Sequence, residues 1–249
     1  MGRRWGQHFL RDRRVVEKIL DAADLGPEDQ VLEVGPGPGA MTVPMCERAG
    51  RVVAFEIDPQ WAEKLPANPN LRVVGGDFLK ADLRAELGSG PWKVVANLPY
   101  YITGPILEKL FFEGQGLVTD MWLMMQKEVA VRLTSPATRE AGSLTYFAAY
   151  FCHPKLLFKV KPGSFAPPPE VDSAVVHLHM REEPLECDRD RLFRLVRQAF
   201  SMRRKTLHRS LRGLLEEPGA VLEKAGISGQ RRPETLSLEE FIRVERAWE

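Results

Sequence analysis

Short apolar runs alternate with segments of helical periodicity along most of the chain, and this alternation limits the possible folds more than any other feature. Four runs come first, at 31–34, 51–55, 71–74 and 92–96, and further candidate strands lie within 120–126, 150–160 and 173–179. Strands that are apolar throughout are buried on both faces, as in a parallel sheet covered by helices. The pattern therefore predicts an open α/β sandwich of the Rossmann-like type.

The alternation ends at Glu182-Glu183-Pro184, and only helical periodicity follows. We therefore predict two domains: an α/β domain over 1–183 and a small all-helical domain over 184–249. Local capping signals mark three helix starts: Asp12 before a helix over 13–23, Asp58 before Pro59, and the capping box of Ser237 and Glu240.

Composition argues against membrane-spanning and disulfide-rich secreted proteins. No apolar run approaches the ~18 residues of a membrane span, and no apolar core of a secretory signal follows the basic N-terminus. Cys46, Cys152 and Cys187 are widely scattered, which is typical of reduced thiols in the cytosol. We expect a cytoplasmic monomer that does not associate with membranes. Because the net charge is only +1, binding to nucleic acid would require a local basic surface.

A glycine-rich loop, EVGPGPG at 33–39, follows the first apolar run and precedes a helix. Glycines are needed where a strand turns sharply and the backbone approaches a bound nucleotide. The spacing Gly35-x-Gly37-x-x-Ala40 also fits a loose dinucleotide fingerprint, with Glu56 as the acid that would bind the ribose. An NAD-dependent oxidoreductase is therefore one hypothesis.

The prolines of this loop favour a different ligand. Pro36 and Pro38 each lack the N–H group that a pyrophosphate would need at a helix N-terminus. S-adenosylmethionine carries no phosphate, and its cationic sulfonium suits an acidic loop that contains Glu33. The loop therefore predicts an S-adenosylmethionine site, and a glycine turn without a ligand is the alternative.

Two acidic residues follow the next two apolar runs. Glu56 can accept hydrogen bonds from both ribose hydroxyls, and Asp77 can accept one from the exocyclic amine of the donor's adenine, with Phe78 beside the ring. Strand ends that present ligands to one crevice are expected in an open α/β sheet. Solvent-exposed acids at strand ends are the alternative interpretation.

The most specific motif, NLPYY at 97–101, follows the fourth run. The exocyclic amine of adenine is a weak nucleophile because its lone pair is delocalised into the ring. An Asn97 side-chain oxygen and a backbone carbonyl next to Pro99 can accept its two hydrogens, while Tyr100 stacks on the extruded base. The activated methyl donor requires no metal and no strong base, so alignment supplies most of the rate. The alternative is a proline turn with a core tyrosine.

These motifs together resemble the ribosomal RNA adenine dimethyltransferases, in particular the bacterial small-subunit branch of that family. The resemblance covers nearly the whole chain. It depends on six segments in order: GQHFL at 6–10, EVGPG at 33–37, NLPY at 97–100, QKEV at 126–129, FAPPPEVDSAVV at 165–176 and AFSMRRKTL at 199–207.

The resemblance implies a fold, a site and a substrate. The fold is a Rossmann-like methyltransferase domain with a small helical domain. The substrate is a pair of adjacent adenosines near the 3′ end of 16S rRNA in an immature 30S particle, each dimethylated on its exocyclic amine. The expected catalytic residues are Asn97, Pro99, Tyr100 and Phe165. The expected donor-binding residues are Gln7, His8, Leu10, Gly35, Gly37, Glu56, Ile57, Asp77, Phe78 and Asn97.

His8 stands where the family commonly has asparagine, and both residues can form hydrogen bonds. The resemblance implies that Phe165 stacks on the target base opposite Tyr100, whereas the sequence around it, beside the prolines at 167–169, is equally compatible with a packing role.

Basic residues are concentrated between positions 191 and 212, where leucines alternate with arginines. The leucines can dock the helices while the arginines contact phosphates, as expected for recognition of folded RNA. An ordinary solvated helix face is the alternative. The residues predicted to bind RNA are Arg203, Arg204, Lys205 and Arg209.

His177 and His179 have a spacing that places both on one face of a strand, but no third metal ligand lies near them in the sequence. We therefore predict no metal. Two further functions compete with the small-subunit dimethyltransferase: a related large-subunit methyltransferase of the antibiotic-resistance type, and a non-catalytic ribosome assembly factor.

Overall fold

The computed structural model describes residues 8–202 and 204–248, so Gln7 and Arg203 lie outside the described residues. The chain divides into two compact units. Unit 1 comprises Met1–Ala130 with His153–Glu182, and unit 2 comprises Val131–Cys152 with Glu183–Glu249. The predicted boundary near 184 falls beside one junction between the units. The prediction placed 131–152 in the first domain, whereas in the structure this segment groups with the C-terminal helices.

Unit 1 is built on a seven-stranded sheet with the order β4-β3-β2-β5-β6-β9-β7, and β1 and β8 form a separate antiparallel pair. The predicted strands are confirmed to within a few residues. The strands are β1 Phe9–Leu10, β2 Gln30–Val34, β3 Arg51–Glu56, β4 Leu71–Gly75, β5 Trp92–Asn97, β6 Val118–Gln126, β7 Cys152–Val160, β8 Phe165–Ala166 and β9 Ser173–Met180.

The sheet is mixed, which corrects the expectation of a parallel sheet. Strands β2 to β6 pair in parallel, but β9 pairs antiparallel with β6. A parallel connection needs a crossover of a dozen or more residues, usually a helix. The proline-rich link 161–172 before β9 contains only the short 3₁₀ turn Pro162–Ser164 and the two-residue strand β8, so no crossover helix precedes β9.

The helices around the sheet begin where their caps predict. Asp12 accepts a hydrogen bond from the Arg14 amide at the start of α1, and Asp58 caps α3 in the same way. Helix α1 buries Val16, Ile19 and Leu20 in the apolar cluster beneath the sheet. The helices of this part of the chain are α1 Arg13–Ala23, α2 Thr42–Cys46, α3 Pro59–Ala62, α4 Leu83–Leu87, α5 Thr103–Glu113 and α6 Lys127–Leu133, which ends in unit 2.

Unit 2 is helical, as predicted for the C-terminal region. Its helices are α7 Ser143–Phe151, α8 Arg189–Ser201, α9 Leu207–Leu211, α10 Pro218–Lys224 and α11 Leu238–Ala247. Phe147, Tyr150 and Phe151 of α7 pack around Phe193 of α8, and the Tyr146 hydroxyl donates to the Leu236 carbonyl at 2.6 Å. These contacts explain why α7 belongs with the later helices.

The capping box that opens α11 is present as predicted, with the Ser237 hydroxyl and the Glu240 carboxylate each accepting a backbone N–H. None of the helices within 8–202 and 204–248 has both the length and the apolar character needed to cross a membrane.

Candidate active site

A crevice lies at the carboxyl ends of β2, β3, β4 and β5, where β2 separates β3 from β5 and the strand order changes direction. Open α/β sheets bind ligands at such a point. The crevice contains about 750 Å³ of space, part of it open to solvent. The predicted site residues that line it are His8, Gly35, Gly37, Glu56, Ile57, Asp77, Phe78, Asn97, Pro99 and Tyr100.

The glycine loop requires glycine at two points. Gly35 and Gly37 have φ angles of 73° and 53°, in the left-handed region that other residues rarely adopt. A Cβ atom on Gly37 would lie 2.7 Å from Cε1 of Phe9, so any side chain there would collide with this ring. The loop therefore turns away from β2 and presents its backbone to the crevice.

Glu56 supports this loop from the end of β3. It is 2% exposed, and its two carboxylate oxygens accept from the amides of Gly37 and Asp58, each at 2.9 Å. A carboxylate oxygen has more than one acceptor site, so Glu56 can also accept from the hydroxyls of a bound ribose. Asp77 follows β4, and its Oδ1 accepts from the Leu79 amide at 3.0 Å.

Glu33 does not line the crevice, although the sequence suggested that its carboxylate would favour a cationic sulfonium there. Its side chain is 1% exposed and lies 2.6 Å from the Thr42 hydroxyl of α2. Burial raises the pKa of Glu33 to about 8; the Thr42 hydrogen bond opposes this increase, and the Glu56 carboxylate adds to it. Glu33 is therefore mainly neutral at pH 7, and the acidic character of the crevice comes from Glu56 and Asp77.

Asn97, the last residue of β5, has an unusual hydrogen-bonding state. Its Nδ2 donates to the His8 carbonyl at 3.2 Å, and this contact fixes the amide orientation because the opposite one would place two oxygens together. Its Oδ1 is buried and has no partner among the described residues. A buried acceptor left without a partner costs about 1–3 kcal/mol, so this oxygen is suited to a donor that arrives with a ligand.

The residues after Asn97 form a rigid turn. The Pro99 carbonyl accepts from the Thr103 hydroxyl at 3.0 Å and from the Ile102 amide at 3.2 Å. The Tyr100 hydroxyl lies 2.5 Å from the Ser173 hydroxyl, and its ring stacks near His8 with centroids 5.7 Å apart. Burial raises the pKa of Tyr100, although the Ser173 contact opposes this, so the phenol stays neutral.

Two predicted site residues are not placed at the crevice wall. Leu10 and Phe165 are paired across β1 and β8, each is 4% exposed, and both belong to the apolar cluster with Val160 and Val175. This position matches the packing interpretation of Phe165, and its stacking on a target base stays a prediction. His8 does line the crevice, and its Nδ1 lies 2.8 Å from the Pro167 carbonyl.

The sequence did not identify several residues of the crevice wall. These residues are neighbours of the predicted motif positions, and no chemical signal of their own marks them in the sequence. Tyr101 is 51% exposed at the mouth of the crevice. Burial and the carboxylates of Asp77 and Glu56 raise the pKa of Tyr101, and all three residues line the same crevice. The remaining missed residues are Phe9, Val34, Phe55, Gly76, Leu98 and Ile102.

The predicted RNA-binding residues belong to unit 2. Arg204 and Lys205 are exposed in the connection between α8 and α9, and Arg209 is exposed on α9. The sequence predicted a helical stretch here, and in the structure it is interrupted: α8 ends at Ser201 and the chain turns before Leu207, whose amide donates to the Arg231 carbonyl. The basic residues are therefore carried by a turn and a short helix.

Three arginines of α8 have partners within unit 2. Arg191 and Arg194 lie over the Trp248 ring, 5.2 and 5.5 Å from its centre, and Arg197 lies 4.9 Å from the centre of the Phe147 ring. Such contacts hold guanidinium groups against aromatic faces. The contribution of these arginines is therefore at least partly structural, and the residues after α8 are the better candidates for phosphate contacts.

The crevice fits S-adenosylmethionine better than a dinucleotide. Among the described wall residues are two carboxylates, Glu56 and Asp77, and neither lysine nor arginine. An acidic crevice favours a cationic sulfonium and disfavours a pyrophosphate. The fold and this crevice define the class of the protein: it is an S-adenosylmethionine-dependent methyltransferase. The chain belongs to the ribosomal RNA adenine dimethylase family, whose model matches residues 2–248.

Individual relatives agree with this family. A ribosomal RNA small subunit methyltransferase A from Pelotomaculum thermopropionicum is 45% identical over 261 residues, covering 96% of this chain and 88% of the relative. The protein of the same name from Alkaliphilus metalliredigens is 43% identical, covering 95% and 88%.

Solved structures show the same relationship at lower identity. A dimethyladenosine transferase from Plasmodium falciparum has a TM-score of 0.82 at 28% identity, covering 95% of this chain and 96% of that chain. The 23S rRNA methyltransferase ErmE has a TM-score of 0.74 at 29% identity, covering 96% and 99%. The family assignment replaces the NAD hypothesis.

Proposed function

We propose that this protein transfers methyl groups from S-adenosylmethionine to the exocyclic amines of two adjacent adenosines near the 3′ end of 16S rRNA, dimethylating each. The observation that carries this proposal is the buried Oδ1 of Asn97 at the wall of the crevice, for which the described part of the chain offers no hydrogen-bond partner. An amine N–H of the target adenine can satisfy this acceptor, and donation of that hydrogen favours a tetrahedral nitrogen with an available lone pair.

The second acceptor for the amine is the Leu98 carbonyl. The neighbouring Pro99 carbonyl already accepts two hydrogen bonds within the turn, whereas Leu98 lines the crevice. Two acceptors on the same nitrogen orient its lone pair. Because their hydrogen bonds strengthen as the amine nitrogen becomes tetrahedral, they lower the barrier rather than only improve binding.

Tyr100 supplies a face for the target base. Its hydroxyl is held by Ser173 and its ring by His8, so little side-chain entropy is lost when a base stacks on it. Stacking on an aromatic residue is worth about 1–3 kcal/mol per base, which helps to offset the cost of extruding the adenine.

The donor would be held by the residues on the other side of the crevice. Glu56 would accept from the ribose hydroxyls, Asp77 from the adenine amine, and Phe78 and Ile57 would enclose the ring. Bound S-adenosylmethionine supplies a methyl group that is already activated. The protein's contribution is therefore alignment, with no metal ion and no strong base in the reaction.

The choice of the small-subunit RNA is supported by the relatives named ribosomal RNA small subunit methyltransferase A, at 45% and 43% identity. We further propose that the substrate is an immature 30S particle, that the enzyme acts as a cytoplasmic monomer, and that residues 184–249 form the RNA-binding domain. Arg204, Lys205 and Arg209 are exposed there and can contact phosphates.

The decisive experiment is transfer of a labelled methyl group from S-adenosylmethionine to 30S particles from a strain that lacks this activity. Mass spectrometry of 16S rRNA fragments should show two adjacent dimethyladenosines near the 3′ end. The structural similarity to ErmE makes 23S rRNA the appropriate parallel substrate. Methylation of 23S rRNA alone would assign the protein to the large-subunit branch, and methylation of neither RNA would reject the enzymatic proposal.

A further inference from the structure

A second cluster of polar side chains lies on the sheet of unit 1, away from the crevice. His177 and His179 project from one face of β9, and the antiparallel register places His179 opposite Asp120 of β6. Oδ1 of Asp120 lies 2.7 Å from Nε2 of His177 and 2.8 Å from Nδ1 of His179. The sequence lacked a third ligand near the histidines because Asp120 precedes His177 by 57 residues.

We propose that Asp120, His177 and His179 bind a first-row transition-metal ion, with Zn²⁺ as the preferred ion. One ligand atom from each residue lies within 4.8 Å of the other two. Two imidazole nitrogens with one carboxylate oxygen suit zinc, whereas Ca²⁺ and Mg²⁺ prefer sites made of oxygen alone. This combination of ligands therefore indicates the class of ion.

The distances require only a small adjustment for the ion to enter. Ligand atoms about 2.0–2.1 Å from a tetrahedral zinc are separated by ~3.3 Å, and here the two histidine nitrogens lie 2.7 and 2.8 Å from Asp120 Oδ1. Each of these two pairs must open by about half an ångström, and the two histidine nitrogens lie within 4.8 Å of each other. Small side-chain rotations can bring all three atoms to the required spacing. The ion would replace the hydrogens that these groups now share, and the imidazoles would bind it in their neutral forms.

The neighbours of the cluster restrict its geometry. The Trp122 ring stacks on His177 with centroids 4.6 Å apart and an interplanar angle of 11°, which limits rotation of that imidazole. His153 lies beside His179, but its Nε2 is engaged by the Arg181 guanidinium at 3.0 Å. Within residues 8–202 and 204–248 the site therefore has three protein ligands, and the 51% exposure of the His179 side chain allows water to complete the coordination.

The metal site is separate from the crevice. In the sheet, Asn97 pairs with Met124 of β6, and Asp120 lies four residues earlier on the same strand, roughly 13 Å away at ~3.3 Å per residue. A bound ion would connect β6 to β9 and stabilise their pairing. Its role would be structural, so methyl transfer should not depend on it.

The test is calorimetric titration of the untagged, metal-free full chain with ZnCl₂, repeated with CoCl₂ and monitored by visible absorption. The wild-type protein should bind one equivalent of ion, and ZnCl₂ should raise its melting temperature. His177→Ala and His179→Ala should each weaken binding at least tenfold. His179→Gln keeps a hydrogen-bonding group toward Asp120, which protects the fold, and should weaken binding equally.

His208→Ala is the matched control, since this histidine lies in unit 2 outside the cluster, and it should bind the ion like the wild type. Basal methyl transfer by the metal-free His179 variants should equal that of the metal-free wild type. The proposal is overturned if the wild type binds no zinc, or if the His177 and His179 variants bind it as tightly as the wild type. These results do not depend on the proposed RNA substrate.

Discussion

Replacement of Asn97 by alanine tests the catalytic proposal most directly. The variant removes the buried Oδ1 that has no partner among the described residues, together with the Nδ2 bond to the His8 carbonyl. In the free protein the unsatisfied Oδ1 lowers the stability of the fold. Its removal should therefore compensate for the loss of the Nδ2 hydrogen bond, and the melting temperature should change little. Donor binding should also remain close to that of the wild type, because the proposed acceptor serves the target amine.

The effect on turnover follows from the hydrogen bond made in the transition state. A neutral hydrogen bond contributes about 0.5–1.5 kcal/mol net, and leaving its partner unsatisfied costs about 1–3 kcal/mol. Since about 1.4 kcal/mol corresponds to a factor of ten in rate, Asn97→Ala should lower kcat by roughly 10- to 100-fold. Single-turnover transfer of labelled methyl to 30S particles, with saturating donor, measures this step.

Asn70→Ala provides the matched control. Asn70 also has a buried Oδ1 without a partner within the described parts of the chain, and its Nδ2 donates to the carbonyls of Cys46 and Ala49. This residue does not line the crevice, so its replacement should lower the melting temperature and leave kcat unchanged. The proposed role of Asn97 would be refuted if kcat of Asn97→Ala stayed within threefold of the wild-type value, or if Asn70→Ala lowered kcat as much as Asn97→Ala does.

Three further changes test other parts of the structure. Gly37→Ala should weaken donor binding at least tenfold in calorimetry, because its φ of 53° and the Phe9 ring leave no room for a Cβ; binding like the wild type would contradict this loop geometry. Glu33 has a pKa raised from 4.5 to about 8 in the folded state, so its stability contribution is present below pH 4.5 and is lost as the pH rises toward 8. Thermal melts should show that Glu33→Gln is less sensitive to pH across this window, and equal sensitivity would be inconsistent with a buried neutral acid. Neutralising Arg204, Lys205 and Arg209 together should make the plot of log binding constant for RNA against log salt concentration less steep. The slope should change by about 0.7–0.9 for each phosphate contact that is lost, and an unchanged slope would place the RNA surface elsewhere.

Local patterns predicted the secondary structure well. The strands at 31–34, 51–55 and 92–96 are mostly buried, whereas the edge strand at 71–74 is only partly buried. All four were found because each reads as an apolar run between turns. The start of α1 was found because Asp12 caps it within two residues. Signals of this kind depend on neighbours in the chain, and the sequence displays them directly.

The direction of a strand in the sheet and the surroundings of an individual side chain were harder to predict. The sequence did not reveal that β9 runs antiparallel to β6, since pairing depends on the path of the link before it. It also assigned Glu33 to the ligand, whereas packing against Thr42 makes this acid part of the interior. In both cases the deciding partner is another segment of the folded chain.

The amino-acid sequence alone determined the order of the strands and helices along the chain, the glycine loop, the family and the identity of the Asn97 motif. Each of these can be recognised from short runs of neighbouring residues. Only the tertiary structure decided that Phe165 is packed in the apolar cluster, that Oδ1 of Asn97 is buried without a described partner, and that Asp120 meets two histidines. These features arise from contacts between strands distant in sequence, where burial and strand register set which atoms meet and which remain available to a ligand.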